Sequence, residues 1–219
     1  MLNKRRLLPL FFISMKKLKK IKVAVTGNIG CGKSTFTKFL SEEGFPVVYA
    51  DDISKKILAN DKVVREQIIK ALGSDSYNGD TVNKKYIADA IFSDSKKLKK
   101  INLILHPKVR EEIASMSEKL FSENDIVFVE AALIFESKIE KMYDYVVLIT
   151  SDLKLRIKRA TQSKNITEAD FLKREANQID EETKKKKADF IFSNNGSKDE
   201  LKQKALLLVR LLNATIKKR

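Results

Sequence analysis

Short apolar runs separated by longer amphipathic segments set the rhythm of this chain. The runs are Ile21 to Thr26, Val47 to Ala50, Ile126 to Val129, Tyr145 to Ile149 and Phe190 to Phe192. Runs this short, with little polar alternation, predict strands buried on both faces. Between them the apolar positions recur at helical spacing. Phe36, Phe39 and Leu40 follow the first run, and Glu43-Gly44-Phe45-Pro46 stops that helix. Residues 53–122 read as mostly helical. Val64, Ile68 and Leu72 lead to a stop at Gly73, a turn-rich stretch surrounds Asn78-Gly79-Asp80, and Ile87, Ile91, Leu98, Ile101 and Leu105 resume the pattern. Pro107 punctuates it before Val109, Ile113, Met116 and Leu120. Residues 152–187 form one long polar helical stretch, and Leu201, Leu206, Leu207 and Leu211 mark a C-terminal amphipathic helix. Strands alternating with helices predict an α/β fold, a parallel five-stranded sheet covered on both faces.

The first apolar run leads directly into Gly27-Asn28-Ile29-Gly30-Cys31-Gly32-Lys33-Ser34-Thr35. This is G-x-x-x-x-G-K-S between a strand and a helix, the context that separates a phosphate-binding loop from a chance match. The glycines let the backbone turn its N–H groups inward, and the helix N-terminus adds positive potential for a polyphosphate. The cofactor-binding residues expected are Asn28, Ile29, Gly30, Cys31, Gly32, Lys33, Ser34 and Thr35. Lys33 is expected on the β- and γ-phosphates and the Ser34 hydroxyl on Mg²⁺. The chain therefore reads as a binder of a nucleoside triphosphate, in a three-layer P-loop fold.

At 219 residues the chain has the length of one domain with modest insertions. A single cysteine excludes an intramolecular disulfide, and Cys31 fills a loop position that needs a small side chain. The net charge of +15 raises a nucleic-acid reading, but the lysines lie in pairs along the whole chain, from Lys16-Lys17 to the run Lys184 to Lys187, without interleaved aromatics. They read as solvated helix faces, and neither nucleic acid nor membrane is expected as a partner. Residues 1–14 carry a basic start and an apolar stretch broken by Pro9, too short to span a bilayer and without a small-residue cleavage site. They read as a dispensable extension ahead of a second start at Met15, and the expected location is cytoplasmic. His106 is the only histidine. No His/Cys/Asp cluster suggests zinc, so the metal implied is the Mg²⁺ that accompanies ATP.

A phosphate loop does not say where the γ-phosphate goes. Glu130, at the end of the third strand, is a single carboxylate where mechanical NTPases carry adjacent acids. The short chain, the helical insertion after the second strand and the basic stretch before the last suit a small phosphotransferase, which must exclude water around donor and acceptor. In open α/β sheets ligands bind where strands end at their carboxyl side. Asp51 lies there, directly after Val47 to Ala50, on a strand expected to neighbour the phosphate-loop strand. Its carboxylate suits the task of taking a proton from an acceptor hydroxyl. Asp52 is the better candidate for capping the following helix.

These residues resemble, in order across nearly all of 21–212, the dephospho-coenzyme A kinase family. Thr26 to Ser34 is similar to its T-G-G-I-G-S-G-K-S, and Tyr49-Ala50-Asp51-Asp52-Ile53-Ser54-Lys55 to its D-A-D-x-x-A-R. The turn Asn78 to Lys84, Leu105-His106-Pro107-Lys108-Val109, Ala132-Leu133-Ile134-Phe135-Glu136, Arg174 to Gln178 and Ala188 to Gly196 resemble further family motifs. The resemblance implies transfer of the ATP γ-phosphate to the ribose 3′-hydroxyl of dephospho-coenzyme A, the last step of coenzyme A synthesis. It implies a nucleotide core (21–52, 124–150 and 188–219), a helical acceptor-binding insertion (53–123) and a mobile lid (151–187). It makes Asp51 the catalytic base, with Lys33 and the lid residue Arg159 as further catalytic groups. Arg159 has a solvated charge beside Arg156 and Lys158 as its alternative reading. His106, Glu136 and Arg174 join Asp51 as substrate-binding residues. The small-molecule partners implied are ATP and dephospho-coenzyme A, and the assembly expected is a monomer or weak homo-oligomer. The chain departs from the family pattern at Tyr49, Lys55, Ser163, Glu130 and Ala132. A kinase for another nucleoside or nucleotide is the alternative within the fold.

Overall fold

A computed structural model of the chain describes residues 20–164 and 166–217. Its elements in chain order are β1 (Ile21–Thr26), α1 (Lys33–Glu42), β2 (Val47–Tyr49), α2 (Ala50–Asn60), α3 (Lys62–Leu72), β3 (Tyr77–Asn78), β4 (Thr81–Val82), α4 (Lys84–Ser93), α5 (Ser95–Leu120), β5 (Ile126–Glu130), β6 (Tyr145–Thr150), α6 (Leu153–Lys164), α7 (Glu168–Ala176), α8 (Glu181–Lys185), β7 (Phe190–Ser193) and α9 (Lys198–Lys217). β2, β5, β1, β6 and β7 form one parallel sheet in that spatial order. Strand periodicity distributes its side chains between two cores. Val23 and Val25 of β1 join Phe36 and Leu40 of α1 and Leu208 and Leu212 of α9, whereas Ala24 joins Ile53 of α2, Ile113 of α5 and Val129 of β5 on the other face. Burial on both faces is why β1, β5 and β6 are nearly all apolar; at the sheet edges the expectation is not met, since Val47 and Tyr49 of β2 are half-buried and Ile191 of β7 is exposed. The expected α/β three-layer P-loop architecture is the one observed.

The insertion has a core of its own, in which Val64, Ile68 and Leu72 meet Tyr77, Ile87, Ile101 and Leu105. A fourth, smaller cluster sets Ile29 of the phosphate loop against Ala160 and Phe171 of α6 and α7. No helix among the described residues is long and apolar enough to cross a membrane. The expected extension 1–14 and the start at Met15 lie outside the described residues.

Four local expectations are corrected. β2 does not neighbour β1, because β5 lies between them. Neither Asp51 nor Asp52 caps α2: the helix begins at Ala50 with Tyr49 at the cap position, and both aspartates sit in its first turn, where they face the positive helix end. Pro107 does not punctuate; it lies inside the 26-residue helix α5. The carbonyl it leaves without a donor belongs to Leu103, a residue 75% exposed on the solvent side of the helix. The stretch 152–187 is three helices rather than one. The Thr167 hydroxyl accepts from the Asp170 N–H and the Asp180 carboxylate from the Thr183 N–H, so each of these side chains starts a new helix.

Candidate active site

The loop from Gly27 to Gly32 is shaped by backbone conformations open to glycine. Gly30 and Gly32 have φ of 77° and 96°. A side chain at Gly30 would strike the Arg156 carbonyl, and one at Gly32 the Asn194 amide. The loop is thus pressed between α6 and the segment after β7. Asn194 fixes it further by donating from Nδ2 to the Cys31 carbonyl at 2.8 Å. Lys33 opens α1, and its Nζ donates to the Gly27 carbonyl at 2.8 Å and to that of Asn28 at 3.4 Å. The Ser34 hydroxyl donates to Glu130 Oε1 and the Thr37 hydroxyl to Glu130 Oε2, both at 2.9 Å. Glu130 gains this position because β5 pairs with β1 and ends beside the first turn of α1.

A cavity of about 1140 Å³ opens over this loop. It brings together most of the site residues expected from sequence: Ile29, Gly30, Gly32, Lys33, Ser34, Thr35, Asp51, His106, Glu136, Arg159 and Arg174 all line it. Asn28 and Cys31 do not; both are buried beneath the loop. A smaller cavity of about 150 Å³ under α5 shares Asp51, His106, Ser137, Ala132 and Leu133 with the larger one. Asp51 therefore stands where the phosphate-loop space meets the space walled by the insertion. The His106 ring contacts the Ser137 hydroxyl at 3.4 Å. Burial, reinforced by the charge of Arg110, holds the His106 pKa below its usual 6.5, so the ring is neutral at pH 7.

On the opposite wall Arg159 donates from Nη1 to the Asn194 carbonyl at 2.8 Å and to the Ser151 hydroxyl at 3.1 Å, which holds one arm of its guanidinium against the end of β7. Arg156 is no solvated neighbour. It is buried, forks onto Glu175 with distances of 2.6 and 2.8 Å, and lies over the Phe171 ring. Burial opposes both charges of this pair, but their mutual hydrogen bonds prevail: the Glu175 pKa lies below and the Arg156 pKa above its usual value. Glu175 also accepts from Asn28 Nδ2 at 3.1 Å, and the Gln178 side-chain oxygen accepts from the Ile29 N–H at 2.8 Å. Glu136 Oε1 accepts from the Ile179 N–H at 2.9 Å and from Lys184 Nζ at 2.8 Å. Its Oε2 is buried with no hydrogen-bond partner among the described residues.

Sequence reasoning missed Glu130 as a partner of the loop, because a lone carboxylate argued against another enzyme class rather than for a role here. Its place at the carboxyl end of a strand was the available signal. Arg156 and Glu175 carried none, since their spacing fits solvated helix faces equally well. Lys184 was hidden in a run of four lysines.

A family model for dephospho-CoA kinase matches residues 21–200. The chain belongs to this family. A dephospho-CoA kinase of Bacteroides fragilis is 33% identical over 178 residues, which cover 81% of this chain and 86% of that one. A crystal structure of a Thermus thermophilus protein superposes with a TM-score of 0.77 at 28% identity, covering 89% of this chain and 98% of that one. A dephospho-CoA kinase structure from Campylobacter jejuni gives 0.66 at 30% identity, covering 87% and 96%. Dephospho-CoA kinases phosphorylate dephospho-CoA with ATP in the final step of CoA biosynthesis, and this is the activity of the chain. Its small-molecule substrates are accordingly ATP and dephospho-CoA.

Proposed function

We propose that ATP lies with its phosphates on the Gly27–Thr35 loop and that dephospho-CoA enters from the insertion, presenting its ribose 3′-hydroxyl to Asp51. The observation that carries this reading is the single cavity joining Lys33 and Ser34 to Asp51. Asp51 takes the hydroxyl proton as the oxygen attacks the γ-phosphorus, and the bond to the β–γ bridging oxygen breaks to release ADP. Lys33 leaves its loop carbonyls for the phosphate oxygens, and the Arg159 fork neutralises charge that develops on the transferring group. Glu136 Oε2, an acceptor without a partner among the described residues, accepts a hydrogen bond from a hydroxyl or amide of the acceptor substrate, and His106 and Arg174 complete that wall.

Ser34 and Glu130 supply hydroxyl and carboxylate oxygens side by side, hard donors that fit Mg²⁺. Ser34 would hold the ion directly and Glu130 through its carboxylate; bound there, it supplies positive charge to the β- and γ-phosphates. Residues 53–123 then serve the acceptor and 151–187 cover the donor.

His106→Ala tests which substrate lies on which wall. One hydrogen bond of about 1 kcal/mol corresponds to a roughly fivefold rise in the KM of dephospho-CoA, with the KM of ATP unchanged. A shift confined to the KM of ATP would reverse the assignment.

A further inference from the structure

Lys184 is fully buried, with 0% of its side chain exposed, in a run whose other three lysines reach solvent. A buried lysine needs partners for its charge. Its Nζ donates to Glu136 Oε1 at 2.8 Å and to Asn28 Oδ1 at 2.7 Å. Glu136 lines the cavity, and Asn28 is the second residue of the phosphate loop. The same ammonium thus ties the wall after β5 to the loop that begins after β1, reaching Asn28 from 156 residues further along the chain. Asn28 passes the connection on through Nδ2 to Glu175, and thence to the Arg156 fork.

We propose that Lys184 is a positioning residue for phosphoryl transfer: it sets the phosphate loop, through Asn28, in register with the Glu136 wall. The proposal rests on the reading that the acceptor binds along that wall, which the His106→Ala measurement tests separately. Lys184 touches neither substrate. It acts because in-line transfer needs the attacking oxygen and the γ-phosphorus aligned, and a shift of about 1 Å in either support costs roughly 10²-fold in rate. Charge compensation alone would serve stability and leave the loop indifferent to the Asn28 contact.

A mutant cycle separates these roles. Lys184→Met, Asn28→Ala and the double variant are compared with the unaltered chain for Tm, kcat and the KM of ATP. Lys184→Met strands the Glu136 carboxylate and lowers Tm by about 10 °C, whereas Asn28→Ala keeps the ion pair and loses far less. Both single variants lose kcat by roughly 10- to 100-fold with the KM of ATP within about threefold, and the double variant is no slower than the worse single one, because one connection has been cut twice. Full kcat in Asn28→Ala, or losses that multiply in the double variant, would overturn the proposal. If Lys184→Met does not fold, Asn28→Ala decides: reduced kcat at near-normal Tm supports the connection, and normal kcat refutes it.

Discussion

Asp51 and Asp52 are neighbours in sequence, both exposed in the first turn of α2, and only Asp51 lines the cavity. A helix turns about 100° per residue, so the two carboxylates point in different directions. Asp52 instead pairs with Lys55 at 2.8 Å, the two side chains being 60% and 67% exposed. That exposed pair contributes about 0–0.5 kcal/mol. Each aspartate also contributes about 0.3–1 kcal/mol at the positive helix end, so either Asp→Asn change lowers Tm by about 1–4 °C. Their effects on turnover diverge. Asparagine at 51 keeps the shape but cannot take the hydroxyl proton, a loss of about 10²–10⁴-fold, or roughly 3–5 kcal/mol of barrier. Asn at 52 leaves kcat within about twofold. The assay is ADP release at saturating ATP and dephospho-CoA, with ATP affinity measured alongside to show that the donor site is intact. An inactive Asp52→Asn beside an active Asp51→Asn would mean that the wrong side chain has been assigned. Full activity in both would refute a carboxylate base.

Glu130→Gln removes a carboxylate from the Ser34 and Thr37 hydroxyls and should raise the Mg²⁺ concentration for half-maximal turnover by about 10-fold; an unchanged Mg²⁺ titration would exclude Glu130 from metal holding. Because the Glu175 pKa is lowered in the fold from its usual 4.5, its contribution to stability is complete above that value and fades as pH falls through the folded pKa. Thermal unfolding of Glu175→Gln should therefore differ from that of the parent at pH 7 and converge with it in acid, whereas a constant Tm gap across pH 7 to 3 would remove the linkage.

The phosphate loop was legible because its glycines, lysine and serine are each required by local backbone geometry and by phosphate chemistry. The central strands were legible because burial on both faces leaves them almost wholly apolar, and the edge strands because their runs are apolar even where half-buried or exposed. What escaped depends on contacts between distant residues. Nothing in Val47 to Tyr49 states that its neighbour is β5 rather than β1, since a short apolar run carries no mark of the adjacent strand. Pro107 was read as a break because propensity is local, while the packing of α5 against α2, α3 and α4 is not. Arg156 and Arg159 stand one helical turn apart, and only the position of α7 decides that the first is buried on Glu175 and the second borders the cavity. Asp180 starts a helix of five residues, too short for its periodicity to reveal that Lys184 turns inward.

The most direct test is a coupled ADP-release assay on the purified chain with ATP and Mg²⁺, offering dephospho-CoA, adenosine and the common nucleoside monophosphates in parallel. Stoichiometric ADP and CoA with dephospho-CoA, and kcat/KM at least about 10²-fold lower with every other acceptor, is the predicted result. A nucleoside monophosphate or adenosine phosphorylated as efficiently as dephospho-CoA would contradict it.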